Sequence, residues 1–361
     1  MFQDLGPVSV RGMSEQSTRP LQRIVPSLWF DHCAREAVDF YVAAFTEAAG
    51  EPTGTGVVEV SHYPADGLEE FQADLAGDVL EIRFRLAGLE LSAINAGPEG
   101  SMNPAISFMV FFDPEVPEAV ARLDALWARL AEGGAALMPL GAYPFSERFG
   151  WVADRYGATW QLLLGTAGVA ATASELGAAV PAPGAAPGAA PGVARPDQGT
   201  PRPSVPVTIV PALMFPHGRG QAAQAAELYT RVLGRAFGDS GIGQMSFYPP
   251  TAGQGEHALM QGFIRLAGQT LALMDSGADH AFTFGIGLSL VAVCSTQEQV
   301  DTVWDGLTAV PEAEMCGWLQ DRFGLSWQVT AVNMTSLMHR PGAWDVMAAM
   351  KKPVLADFEA L

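Results

Sequence analysis

Three cysteines in 361 residues, Cys33, Cys294 and Cys316, are too few and too widely spaced for a disulfide framework. With no C-x-x-C pair they do not outline a structural zinc site either, and a reducing, cytoplasmic setting is expected. Basic residues are also scarce, with 20 Lys+Arg against 39 Asp+Glu and a formal net charge of −19. The few cations form no stripe, so a phosphate backbone is repelled and no nucleic-acid partner is expected. Long hydrophobic runs are missing. A stretch such as Ile286–Cys294, broken by Gly287 and Ser289, falls far short of the ~18–20 residues that span a bilayer, so no membrane partner is expected. Met1–Pro20 has no apolar core and does not read as a signal peptide.

What the chain has in surplus is small residues and proline. Between Gly165 and Val205, 41 residues hold 12 Ala, 7 Gly and 7 Pro and no aromatic side chain. Each proline removes a helical hydrogen bond, and such a segment buries too little apolar surface to offset its ordering entropy. It reads as a flexible linker. The remaining length suits two domains, 23–164 and 206–361, the second ending in a C-terminal helix, after a disordered N-terminus over 1–22.

The two domains repeat one another. Ile24–His32 (IVPSLWFDH) and Ile209–His217 (IVPALMFPH) agree at six of nine positions, and Arg85–Gly88 recurs as Arg265–Gly268. Gly150–Gln161 (GWVADRYGATWQ) recurs as Gly317–Gln328 (GWLQDRFGLSWQ) at seven of twelve. Within copy one, strands are expected at Ile24–Phe30, Val57–Tyr63, Val79–Leu86 and Glu90–Asn95, with a helix whose buried stripe includes Ala34, Val38, Tyr41, Val42 and Phe45. A second round follows: a strand at Ala105–Phe112, a helix presenting Val116, Val120, Leu123, Trp127 and Leu130, and closing strands near Arg148–Ala153 and Thr159–Leu164. The expected fold is α+β, with two copies of a paired βαβββ domain joined by an Ala/Pro/Gly linker.

Leu28–Asp31, the Phe40–Tyr41 pair, Ala105–Val110 and above all Cys316–Gln328 resemble the PhnB-like family of the vicinal-oxygen-chelate superfamily, which includes glyoxalase I, extradiol dioxygenases and the fosfomycin and bleomycin resistance proteins. The resemblance covers Arg23–Leu164 and Val207–Ala331, and Trp344–Lys352 looks like the helix that closes members of the family. It implies a cavity on a concave sheet face and, in the superfamily's enzymes, a divalent metal held by the first strand of each module and a Glu on the last strand. Carried onto this chain, the Glu position holds Gln161 and Gln328, the second-module slot holds Ala105 and Gly287, and Ile24–Leu28 and Ile209–Leu213 offer no His, Asp or Glu. The family's older label, a ubiquinone-pathway methyltransferase, implies S-adenosylmethionine. Its usual glycine-rich loop has no counterpart, because Gly241-Ile-Gly243 and Gly285-Ile-Gly287 lie in the wrong context.

The cavity candidates are Asn95, Ser107, Trp151 and Gln161 in copy one and Asp275, Ser289, Trp318 and Gln328 at the matching positions of copy two. Asn95 and Asp275 either contact a ligand or cap a turn, and the two serines sit inside apolar strands on the same face as the vacant slot. Trp160 and Trp327 belong to the opposite, core face. His32 and His217 read as polar turn residues, and Asp154–Arg155 and Asp321–Arg322 as surface ion pairs or turns. The expected function is binding of a small organic molecule in an apolar cavity of each domain, with no catalytic metal or other cofactor. The alternative is a divalent-metal lyase, isomerase or dioxygenase using His32 or His62 beside Gln161. The two copies are expected to pair within one chain as a pseudo-dimer, leaving a monomer in solution.

Overall fold

The computed structural model describes residues 21–49, 54–66, 68, 70–166, 207–255 and 257–361. Nearly all of the expected linker, 167–205, and most of the expected disordered N-terminus lie outside the described residues. Copy one opens with β1 (Ile24–Phe30), α1 (Ala34–Ala49), β2 (Gly56–His62), β3 (Val79–Leu86) and β4 (Leu89–Asn95). Its second module is β5 (Ile106–Phe112), α2 (Ala119–Ala131), β6 (Ala135–Tyr143), β7 (Ser146–Ala153) and β8 (Thr159–Leu164). Copy two repeats the first module as β9 (Val207–Phe215), α3 (Gln221–Phe237), β10 (Gly241–Phe247), β11 (Leu259–Leu266) and β12 (Gln269–Asp275). Its second module is one strand shorter than expected: β13 (Leu288–Cys294), α4 (Gln297–Leu307), β14 (Trp318–Gln320) and β15 (Ser326–Ala331). Three short helices follow, α5 (Met334–Met338), α6 (Ala343–Ala349) and α7 (Leu355–Glu359), where a single closing helix was expected.

The strands assemble across the copies. One sheet runs β14-β15-β13-β1-β4-β3-β2 and the other β10-β11-β12-β9-β5-β8-β7-β6. The seven-stranded sheet therefore joins the first module of copy one to the second module of copy two, through antiparallel pairing of β1 with β13. In the eight-stranded sheet β5 pairs antiparallel with β9 over the whole of Ile106–Phe112. Neither copy completes a sheet by itself.

Strand alternation assigns the two faces. Ile24, Leu28 and Phe30 of β1, Phe108, Val110 and Phe112 of β5, and Leu290 and Ala292 of β13 pack against the helices in one large core. Each Val, Ile, Leu or Phe side chain among them contributes roughly 1.5–3 kcal/mol on burial. Trp160 and Trp327 lie in that core, fully buried, as the alternation predicts. The buried stripe of α2 is Ala119, Leu123, Leu126 and Leu130. It is shifted by one position from the expected stripe: Val116 precedes the helix and Val120 is exposed, because the small Ala119 is the residue that packs closely.

Close backbone contacts lock the copies together. Gly287 lies directly against the Ser101–Met102 backbone of copy one, with no room for a β-carbon, and the neighbouring Gly100 sits on the Trp29 ring within copy one. Asn103 Nδ2 donates to the Thr283 carbonyl at 2.9 Å across the same junction. This packing supplies a physical reason for the absence of a ligating side chain at position 287.

Candidate functional site

Four of the polar positions that repeat between the copies serve the scaffold. Asn95 and Asp275 close their strands on the helix side, in step with Leu91 and Ala93 and with Leu271 and Leu273, so they do not face the cavity side as expected. Asn95 Oδ1 accepts from the Ala34 amide at 2.9 Å, at the start of α1, and its Nδ2 donates to the Val79 carbonyl. Asp275 accepts from the Ala222 amide at 3.1 Å, at the start of α3, and from the Leu259 amide at 2.7 Å. Both residues tie the first helix of their copy to the third strand.

Asp154 and Asp321 are buried, not the surface turns expected of charged residues in a Gly-containing loop. Asp321 Oδ2 accepts from Tyr229 Oη at 2.7 Å and Trp327 Nε1 at 3.0 Å, and Oδ1 accepts from the Phe323 and Leu325 amides. Asp154 makes the equivalent bonds to Trp160 Nε1 and the Tyr156 and Ala158 amides. Burial pushes the carboxyls of Asp154, Asp275 and Asp321 above the usual range, while the donors around each one pull in the other direction. The recurrence of Asp six residues before Trp in both copies was the sequence signal for this anchor.

The remaining six candidates face away from α1–α4, on the inner face of each sheet. In the eight-stranded sheet Gln161 Nε2 donates to Ser107 Oγ at 2.8 Å, and Trp151 stands directly across from Gln161 on the neighbouring strand. In the seven-stranded sheet Gln328 Nε2 donates to Ser289 Oγ at 2.9 Å, with Trp318 directly across from Gln328. The same Ser–Gln–Trp arrangement thus stands on both inner faces.

What surrounds it differs sharply between the sheets. The first modules align at an offset of 180 to 185 residues, so Glu81, Arg83, Ser92, Ser27 and Trp29 correspond to Gln261, Phe263, Ala272, Ala212 and Met214. The seven-stranded face is accordingly polar. Ser92 Oγ donates to Glu81 Oε1 at 2.6 Å, Arg83 pairs with Glu59 at 3.0 Å and closely with Glu90, and Arg85 reaches Glu90 at 2.8 Å. Burial raises the Glu81 carboxyl, against the pull of Ser92 and Arg83. The segment after β15 lies over this face. Met334 and Thr335 of α5 close a cavity of about 70 Å³ whose other walls include Val25, Glu81, Arg83, Ser92 and Val291, and Trp344 of α6 meets Tyr63 edge to face at 5.7 Å.

The eight-stranded inner face is apolar. Met109, Phe111, Phe149, Trp151, Leu163, Val210, Ala212, Met214, Ala272 and Met274 form a buried cluster separate from the core under the helices, with Met138, Phe263 and Phe282 against it. Trp151 Nε1 and Gln161 Oε1 are buried in this face without a hydrogen-bond partner. A larger hollow of about 360 Å³, around Pro114–Val120, lies at the outer end of α2 and touches none of the candidates.

The histidines lie elsewhere. His32 is an exposed turn residue at φ 55°, beside Asp78 at 3.0 Å, Asp74 at 3.4 Å and Asp31 at 3.7 Å. The Asp78 bond raises its pKa. His62 and His217 are exposed. Among the described residues no group of three or more His, Cys, Asp or Glu side chains is placed to hold a metal ion. The superfamily's ion does not fit the residues found at its positions, which are the neutral amides Gln161 and Gln328, Ala105 and Gly287, and first strands without His, Asp or Glu. S-adenosylmethionine fits no better, since mixed sheets of βαβββ modules provide no strand-to-helix glycine loop. No helix among the described residues is long and apolar enough to cross a membrane.

Several solved structures and one family model are similar to this chain. Among curated proteins nothing matches. Of solved structures, a PhnB protein from Bacillus cereus is 34% identical, over 40% of this chain and 99% of that one, with a TM-score of 0.32. A protein from Pseudomonas aeruginosa is 24% identical over 40% of this chain and 98% of its own, with a TM-score of 0.31. A glyoxalase I mutant from Zea mays is 10% identical but spans 87% of this chain and 94% of its own, with a TM-score of 0.42. The family model described as 3-demethylubiquinone-9 3-methyltransferase matches residues 22–163 and 207–330, well over half of the sequence. With both matches falling on the βαβββ repeats described above, the chain belongs to that family, the PhnB-like proteins, as a tandem of two copies.

Proposed function

We propose that this protein binds a small, largely apolar organic molecule on the inner face of its eight-stranded sheet, without a catalytic metal. The observation that carries this reading is the buried cluster of methionines and aromatic rings holding two unpartnered polar atoms, Trp151 Nε1 and Gln161 Oε1. Buried polar atoms in native proteins nearly always have partners, and an orphaned pair on the face that the fold reserves for ligands points to an occupant. Methionine suits such a wall because its unbranched chain repacks around different shapes. In place of one cavity within each domain there are two unequal inner faces, each built by strands of both copies. We propose further that one chain supplies both halves of the assembly and acts as a monomer, with its three free thiols suited to a reducing compartment.

The test uses protein purified without chelator. Its metal content is measured and its melting temperature followed against a panel of small apolar compounds. Stabilisation by members of the panel in metal-free protein, unchanged by added Zn, Ni, Mn or Fe, supports the reading. A ligand at ~100 times its dissociation constant adds about 2.7 kcal/mol. Stoichiometric bound metal, or no stabilisation by any compound, overturns it.

A further inference from the structure

Resting on the binding reading above, we infer that the ligand of the eight-stranded face is uncharged and carries one amide-like edge, a hydrogen-bond acceptor beside a donor. Trp151 and Gln161 are directly paired across β7 and β8, so their side chains emerge together on one face. Both residues are only 2% exposed. The Trp151 indole can only donate, and its Nε1 has no acceptor. Gln161 uses Nε2 on Ser107 and leaves Oε1, an acceptor, without a donor.

The complement of that pair is a group that accepts from the indole and donates to the amide oxygen within one planar edge. A primary carboxamide, a lactam (whose amide is held cis) or a hydroxy-carbonyl meets this requirement, whereas an open-chain secondary amide, being trans, does not. An anion offers nothing to Gln161 Oε1, a cation offers nothing to Trp151 Nε1, and the methionine and aromatic side chains packed around them neutralise neither. The rest of the ligand meets methionine and aromatic side chains beside Gln261, whose Nε2 lies 3.9 Å from Met109 Sδ, so it is largely apolar.

The seven-stranded face reads differently at the equivalent place. Trp318 is partly exposed and meets Trp29 edge to face at 5.7 Å, and charged Arg83 and Glu81 replace Phe263 and Gln261. The inference therefore applies to one face of the two.

The experiment titrates the full chain with three probes of one ring size: toluene, which has no polar edge, benzamide, which has the complementary edge, and benzoate, which is charged. Binding is followed by nitrogen-15 NMR in the native protein and in the Trp151→Phe and Gln161→Leu variants. Toluene is expected to bind all three proteins within about twofold, which also shows that the variants fold. Benzamide is expected to bind the native protein, to shift the indole resonance that is missing in Trp151→Phe, and to weaken about tenfold in each variant, the cost of an unmet hydrogen bond in a buried site. Benzoate is expected not to bind. If benzamide binds both variants as it binds the native protein, or benzoate binds as tightly as benzamide, this inference falls while toluene binding leaves the binding reading intact. If none of the three binds, both fall.

Discussion

At the scale of single residues, position on a strand decides what a polar side chain does. Asn95 and Ser107 both read as candidates, but one step of alternation sends Asn95 to the start of α1 and Ser107 to the inner face. The buried aspartates could not be read from charge alone, since a lone Asp in a turn is ordinarily solvated. Asp321 stays inside because four donors meet its two oxygens. Replacing Asp321 with Ala orphans those donors and is expected to cost about 3 kcal/mol or more, seen as a lower denaturation midpoint at unchanged denaturant slope. His32 gives a prediction in pH. Its pKa is raised above 6.5 chiefly by Asp78, with Asp74 and Asp31 adding to the shift, so the stability it contributes is present below the ordinary imidazole pKa and is lost as pH rises through the raised value. His32→Asn, which keeps a residue tolerant of positive φ, is expected to flatten the change in denaturation midpoint between about pH 6 and pH 8. An unchanged pH profile would remove His32 from that account.

Among the elements, short apolar runs bounded by turns were enough to place β1, β3 and β8 at Ile24–Phe30, Val79–Leu86 and Thr159–Leu164. The stripe of α2 was displaced because a pattern read on large residues overlooks an Ala that packs closely. The β3–β4 and β11–β12 hairpins turn through Ala87-Gly88 and Ala267-Gly268, with φ of 45°, 86°, 48° and 87°. Two consecutive left-handed residues are the signature of a turn that favours Asn-Gly, and alanine pays a steric penalty there. Ala87→Asn and Ala267→Asn are each expected to stabilise the protein by about 0.5–1 kcal/mol in chemical denaturation. A loss of stability in either variant would mean that its hairpin does not turn through the left-handed pair.

For the molecule as a whole, the repeat was legible and its assembly was not. A two-residue period specifies which face of a strand is apolar but not which strand lies beside it. Copy one could equally have paired β1 with β5. It instead pairs β1 with β13 and β5 with β9, so that each inner face contains strands of both copies. The unequal chemistry of the two faces follows from five aligned pairs visible in the repeats, Glu81 with Gln261 and Arg83 with Phe263 among them, once the strands carrying them are known to share a sheet with the other copy's second module.

A copy separated from its partner would expose the edges of β1 and β5 along with the apolar faces that they carry. Light scattering on a chain cut at a protease site placed between residues 166 and 207 tests this shared construction most directly. A single particle of 38.1 kDa that holds both fragments is the predicted result, and two separate folded particles of about half that mass would contradict it.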